Sequence, residues 1–211
     1  MAWWRSDSNK PKPIPHVAAP IKTRTFATTP LGRGYRGEQI PNNPSSWCVK
    51  QFGLGPVTYL RNATHRAPYK LTVKGGKIHD AHGLFDTSDA QSLHNQGDPR
   101  AIFVMSKTGD LYAAKQHKRC EFHHSSFLQG MSVAAAGELV VDDGVLSTIT
   151  NQSGHYRPPY NLVEQVFEEL ADDHYTFCSA TGNVSVPIHH GDGTVTNTSL
   201  PDHCVTRDYV D

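Results

Sequence analysis

The sequence predicts an α+β domain: an antiparallel β-meander or open barrel with a short N-terminal helix and a C-terminal packing helix. Three observations carry that expectation. Between Tyr69 and Thr150 the apolar residues alternate in short runs separated by Gly-containing turns. Ahead of them Asn42-Asn43-Pro44 is a helix-start signal, and behind them Asn161 opens a longer stripe of helical spacing. The 211 residues are 37% hydrophobic and 9% aromatic, which suits one domain with a modest core.

The first 41 residues read as a disordered, Pro-rich, basic leader. Pro11, Pro13, Pro15, Pro20 and Pro30 interrupt every window, and Arg5, Lys10, Lys12, Lys22, Arg24, Arg33 and Arg36 face only Asp7 and Glu38. Order is expected from residue 42. A short helix would place Trp47, Cys48 and Phe52 on one stripe and end at Gly53 and Gly55, and Val57–Leu60 would follow as a short strand or turn of helix. Three hairpins are marked next. Tyr69–Val73 and Lys77–Asp80 flank Gly75-Gly76, Ala101–Met105 and Leu111–Ala114 flank Lys107-Thr-Gly-Asp110, and Gly137–Val141 and Val145–Thr150 flank Asp142-Asp-Gly144. Glu121–Leu128 reads as one more strand, giving about seven. Leu162, Val163, Val166, Phe167 and Leu170 then form the stripe of a helix packed on the sheet, with Glu164, Glu168 and Glu169 toward water or its edge. The domain spans 42–172, and 173–211 is a polar, His-containing tail wrapping it, with weak strand signals at Phe177 and Val184–Ile188.

Twenty Lys+Arg balance twenty Asp+Glu, which argues against nucleic acid held by counterion release. No run reaches the roughly 18 apolar residues of a membrane span, so no membrane partner is expected, and the start lacks the apolar run of a signal peptide. The four cysteines, Cys48, Cys120, Cys178 and Cys204, lack a CxxC and read as reduced thiols, with a Cys178–Cys204 clip the alternative. Thirteen histidines raise the question of metal. The tail donors His174-x3-Cys178, His189-His190-x-Asp192 and His203-Cys204 match no standard zinc spacing, and no metal is expected.

Polar chemistry concentrates in Cys120-Glu-Phe-His-His-Ser-Ser-Phe-Leu128. On a strand, His123, Ser125 and Phe127 would point one way and Phe122, His124, Ser126 and Leu128 the other, so an imidazole and a hydroxyl lie between apolar side chains. Either they are satisfied core groups or they wall a pocket. Val133-Ala-Ala-Ala-Gly137 lets another element or a ligand approach closely, and the carboxylate of Glu138 follows at once. His155, Tyr156 and Arg157 are presented at the sheet rim, where Arg157 could hold an anion or Tyr156 could staple helix to sheet.

The run Phe122–Gly130, with Ala134–Glu138, Asp143–Leu146 and Ser153–Tyr156, resembles a module of C-terminal toxin domains from bacterial polymorphic secretion systems. It is also similar to the conserved region of plant calmodulin-binding IQ-motif proteins, a similarity that reaches upstream through Cys48-Val-Lys50 and Leu84–Ser88 to Ile102–Val104. The resemblance covers roughly residues 45–170. There is no basic IQ-type segment, so calmodulin binding is not carried over, and the plant pattern does not keep an acid at the place of Glu138.

The toxin resemblance implies a domain secreted or injected into a target cell, acting on a macromolecule there and restrained by an immunity protein. Its implied activity is ADP-ribosyl transfer or NAD⁺ cleavage, through an oxocarbenium-like transition state. Glu138 would stabilise the cation and His124 and Ser126 would complete the catalytic set. His123, Ser125, Phe127, His155, Tyr156 and Arg157 would hold NAD. An alternative from the residues is a thiol enzyme, with Cys48 as nucleophile, His124 or His123 as base, and Glu138 or Asp142 orienting it. The plant resemblance implies a third class, a non-enzymatic module that binds a partner.

Overall fold

The computed structural model describes residues 24–93, 99–172, 184–190 and 193–200. Their architecture is mixed α+β, dominated by an eight-stranded sheet curled into half a barrel. All three expected hairpins form. β1 (Lys70–Lys74) and β2 (Lys77–His79) pair around Gly75-Gly76, and β5 (Ala135–Asp142) and β6 (Val145–Ile149) pair around Asp143-Gly144. In both turns the two central residues have positive φ, the type I′ geometry whose twist matches that of the strands. β3 (Ala101–Met105) and β4 (Leu111–Ala114) make the other hairpin.

The strands do not lie in simple meander order. Their sequence across the sheet is β2-β1-β4-β3-β5-β6-β7-β8, where β7 is Val184–His189 and β8 is Val195–Leu200. The β1–β2 hairpin therefore docks outside β4, and β3 is left at the centre. β7 joins β6 in parallel through Thr148 and Ser185, and Asn151 clamps this seam, its side-chain amide donating to His189 O at 3.0 Å and its Oδ1 accepting from His189 N at 2.7 Å. Part of the expected tail is thus sheet, while Phe177 lies outside the described residues.

Every residue of β3 is buried, because the sheet is covered on both faces. Ala101, Phe103 and Met105 meet Val163, Val166 and Leu170 of the long helix α4 (Asn161–Asp172), as its stripe requires. Ile102 and Val104 face the other way, into a second core with Leu31, Phe127 and Tyr156.

Several expectations are corrected. Residues 24–41, read as leader, are packed: Phe26 enters the core under α4, Thr29 pairs with Val133, and Gln165 and Glu168 of α4 bind Ala27 and Arg24. Residues 1–23 lie outside the described residues. The first helix, α1 (Trp47–Phe52), has Ser46 rather than Asn43 at its N-cap position, with no side-chain capping bond, and ends at left-handed Gly53. Val57–Leu60 joins no sheet but hydrogen-bonds Glu38, Glu121 and Ser126 through its backbone. A one-turn helix, α2 (Ala63–Arg66), capped by Asn62, follows it. Glu169 is buried rather than solvated. The largest correction is Glu121–Leu128, which is not a strand. It contains a tight turn and then a one-turn helix, α3 (His124–Phe127), because the side chain of Ser126 accepts from the His123 backbone N–H at 3.0 Å and closes a capping box.

Candidate functional site

The turn before α3 fixes the geometry of the site. Lys118 and Phe122 exchange backbone hydrogen bonds, which puts Cys120 at the tip with φ 59°, a left-handed conformation uncommon for a side chain with a Cβ. Its backbone N–H donates to His123 Nε2 at 2.7 Å. A backbone N–H can only donate, so Nε2 carries the lone pair. In the neutral ring Nδ1 then bears the hydrogen and points it at His117 Nε2, 3.0 Å away.

Cys120 forms a disulfide with Cys48, the buried residue of α1, with Cα atoms 5.4 Å apart. A ring nitrogen of His123 lies within 4.8 Å of both sulfurs. Above Cys48 sits Glu38, a fully buried carboxylate. Its Oε1 is 3.9 Å from Cys48 Sγ, and its Oε2 is 3.1 Å from Nε2 of His155. The His155 ring stacks between Tyr35, at 4.2 Å, and His123, at 4.5 Å. Burial raises the pKa of the nearby Tyr59 hydroxyl; a hydrogen bond to Ser125 opposes this and the negative charge of Glu38 adds to it. Two cysteines, three histidines and a carboxylate thus share one sealed volume between α1, α3 and the rim after β6.

His124, Ser126 and Glu138 lie on the same sheet face but are engaged with the fold. His124 Nε2 is 2.9 Å from Gly137 O, so this nitrogen carries the hydrogen. Ser126 Oγ caps α3, and Glu138 Oε1 accepts from Ser92 Oγ at 2.8 Å while its backbone N–H donates to Thr150 Oγ1. All three are fully buried, as are Ser125 and Phe127. Tyr156 is core, its hydroxyl donating to Met131 O at 2.9 Å, and burial pushes its pKa far above the usual tyrosine value. Arg157 alone of the expected set is exposed, on a left-handed backbone.

A groove of about 590 Å³ opens elsewhere, between β4, the turn after β2 and the Cys120 turn. Tyr69, Phe85 and Phe122 form its apolar walls, and Lys115, Lys118, Asp80 and Glu121 its rim. Tyr69 stacks on Phe122 at 5.4 Å, and Leu84 stands 44% exposed at the edge. None of His124, Ser126 and Glu138 lines it.

The structure therefore brings His123 and Cys48 together, as the thiol reading required, but with Cys48 bonded to Cys120 rather than a free thiol. It does not bring Arg157 to Glu138. Sequence reasoning missed Glu38, His117 and Cys120 as members of the cluster. Glu38 stands out only as one of two acids, with Asp7, among seven basic residues before position 41, which says nothing of its partners.

Residues 65–163 match the IQ motif-containing protein middle domain. The matched segment holds all of the groove, α3 and β1 to β6. Among curated proteins, the IQ domain-containing protein IQM3 of Arabidopsis thaliana is 45% identical over 103 residues, 48% of this chain and 21% of its own length. IQM2 of the same plant is 38% identical over 113 residues, 53% of this chain and 16% of its own, and IQM5 is 31% identical over 129 residues, 60% and 24%. The alignments thus span about a fifth of each relative. No solved structure matches the chain.

These relatives support the plant IQ-motif resemblance, and nothing supports the toxin module. The expectations of a toxin, of ADP-ribosyl transfer and of secretion or injection into a target cell are corrected accordingly, because the relatives of the matched segment are IQ domain-containing plant proteins.

Proposed function

We propose that this chain is a non-enzymatic, partner-binding module whose contact surface is the groove flanked by Leu84 and Phe122. Its partner is a protein segment that seats one apolar side chain against Tyr69, Phe85 and Phe122 and meets charges of both signs at the rim. The single observation behind this reading is that the groove is lined wholly by residues 68–122, inside the middle-domain segment, while the catalytic-looking side chains are committed to backbone and core. Apolar pockets with a few polar groups at the rim are the ordinary form of a recognition site. A hot spot of this kind concentrates affinity in one or two aromatic contacts.

The test is a displayed peptide library panned on the purified chain. Selected peptides share an apolar anchor and lose about tenfold in affinity or more, roughly 1.4 kcal/mol, on Leu84→Asp. No enrichment, or peptides indifferent to Leu84→Asp and Lys115→Glu alike, overturns the proposal. Calmodulin is included as a separate arm, and its binding through a surface unaffected by Leu84→Asp counts against the groove.

A further inference from the structure

We infer that Cys48, Cys120 and His123 form a redox-gated site for a soft divalent cation, zinc by its chemistry, which is closed while the disulfide is intact and opens when it is reduced. The sulfurs and one imidazole nitrogen lie within 4.8 Å of one another, and all three side chains are buried. Zinc bound to thiolate at about 2.3 Å and imidazole at about 2.0 Å places its donors roughly 3.4–3.8 Å apart, so modest side-chain rotation assembles the set. With Cα atoms 5.4 Å apart, the backbone already brings both cysteines to one ion.

The imidazole is prepared for the same role. Nε2 holds the lone pair and accepts the Cys120 backbone N–H at 2.7 Å, a bond the metal would replace, and Nδ1 is 3.0 Å from His117 Nε2. A metal-bound histidine almost always gives its other ring hydrogen to a fixed acceptor, and His117 is placed to be one. Glu38 Oε1 lies 3.9 Å from Cys48 Sγ, beside the three-donor set rather than within it. His155 already orients that carboxylate from its other oxygen.

The chemistry balances. A dithiol reductant gives two electrons and two protons to the Cys48–Cys120 bond, leaving two thiols and the reductant's own disulfide. The cation then displaces both thiol protons to solvent and binds two thiolates. Oxidation by a disulfide-forming partner returns the S–S bond and expels the metal. The cysteines come from opposite sides of the middle-domain boundary, so either bond ties α1 to the turn before α3, one covalently and one through the ion.

The experiment uses the full chain carrying Cys178→Ser and Cys204→Ser, which leaves only this pair. It is kept oxidised or reduced with a phosphine, which becomes the phosphine oxide, and is titrated with Co²⁺ and then Zn²⁺. Reduction is expected to create one site per chain, with thiolate-to-cobalt charge transfer and the visible bands of a tetrahedral ion, both erased by one equivalent of zinc. His123→Ala keeps part of the charge transfer but binds at least tenfold more weakly. Identical spectra before and after reduction, or unchanged affinity in His123→Ala, overturns the inference. So does a reduced chain whose circular dichroism collapses and is not restored by zinc. The oxidised-against-reduced comparison leaves both Cys48 and Cys120 in place, so it stands without any substitution at the site itself.

Discussion

Asp86 illustrates how much a single half-buried carboxylate is tuned by its neighbours. Hydrogen bonding from the side chain of Ser88, then from the backbone N–H groups of Asp143 and Ser88, holds its pKa down from 3.8 to about 2. A carboxylate whose folded pKa is depressed contributes stability that is present above the unfolded value and lost as pH falls through the folded one. Urea midpoints measured from about pH 5 down to about pH 2 are therefore expected to fall less steeply for Asp86→Asn than for the wild type. Equal slopes would assign the acid sensitivity elsewhere. At this scale the residue types were more legible than their partners. The His-His-Ser-Ser run announces a demanding polar site, and His123, His124 and Ser126 are satisfied there by the Cys120 backbone N–H, Gly137 O and a local cap that no spacing rule specifies. Glu38 was hidden because its neighbours are basic and Pro-rich, a composition that describes chain stiffness and charge and carries no information on long-range contacts.

Among the elements, β5 carries the tightest constraint. Gly137 lies opposite Phe103 on β3, and the chain after β6 returns so closely that a Cβ at Gly137 would strike the Thr150 carbonyl. The approach is drawn in by Thr150 N–H donating to Glu138 O at 2.8 Å. Backbone cannot give way as a flexible side chain does, so Gly137→Ala is expected to destabilise the fold by about 3 kcal/mol, read by urea denaturation at neutral pH. A cost under about 1 kcal/mol would mean that the two segments part readily. The run of small residues before Glu138 is thus explained by packing. Hairpins and α4 were legible because their signals are local: two-residue turns with positive φ, and one apolar stripe at helical spacing. α3 was not, because in eight residues of mixed polarity the alternation of a strand and the cap of a one-turn helix compete. Ser126 decided in favour of the cap.

The molecule as a whole is cross-linked over 72 residues by Cys48–Cys120. Closing a loop of that size in the unfolded chain is worth about 4 kcal/mol on the chain-entropy account. Metal-free reduction with a phosphine is expected to lower the unfolding free energy by most of that amount, measured by urea titration with and without reductant. Unchanged stability would mean that the bond adds nothing beyond the packing around it. Four cysteines allow three complete pairings and six single bridges, so this one could not be read from their spacing. The strand order was equally out of reach, since the docking of one hairpin outside β4 depends on shape across the sheet. The buried cluster also says where the autonomous unit begins. Tyr35, Glu38 and Cys48 all precede residue 65, yet they cover His155 and Cys120 inside the matched stretch. A fragment trimmed to the borders of that stretch would expose an imidazole, a thiol and the apolar floor beneath them, and would seek other molecules to hide them. The inheritable piece of this architecture is therefore longer than the piece that sequence similarity delineates.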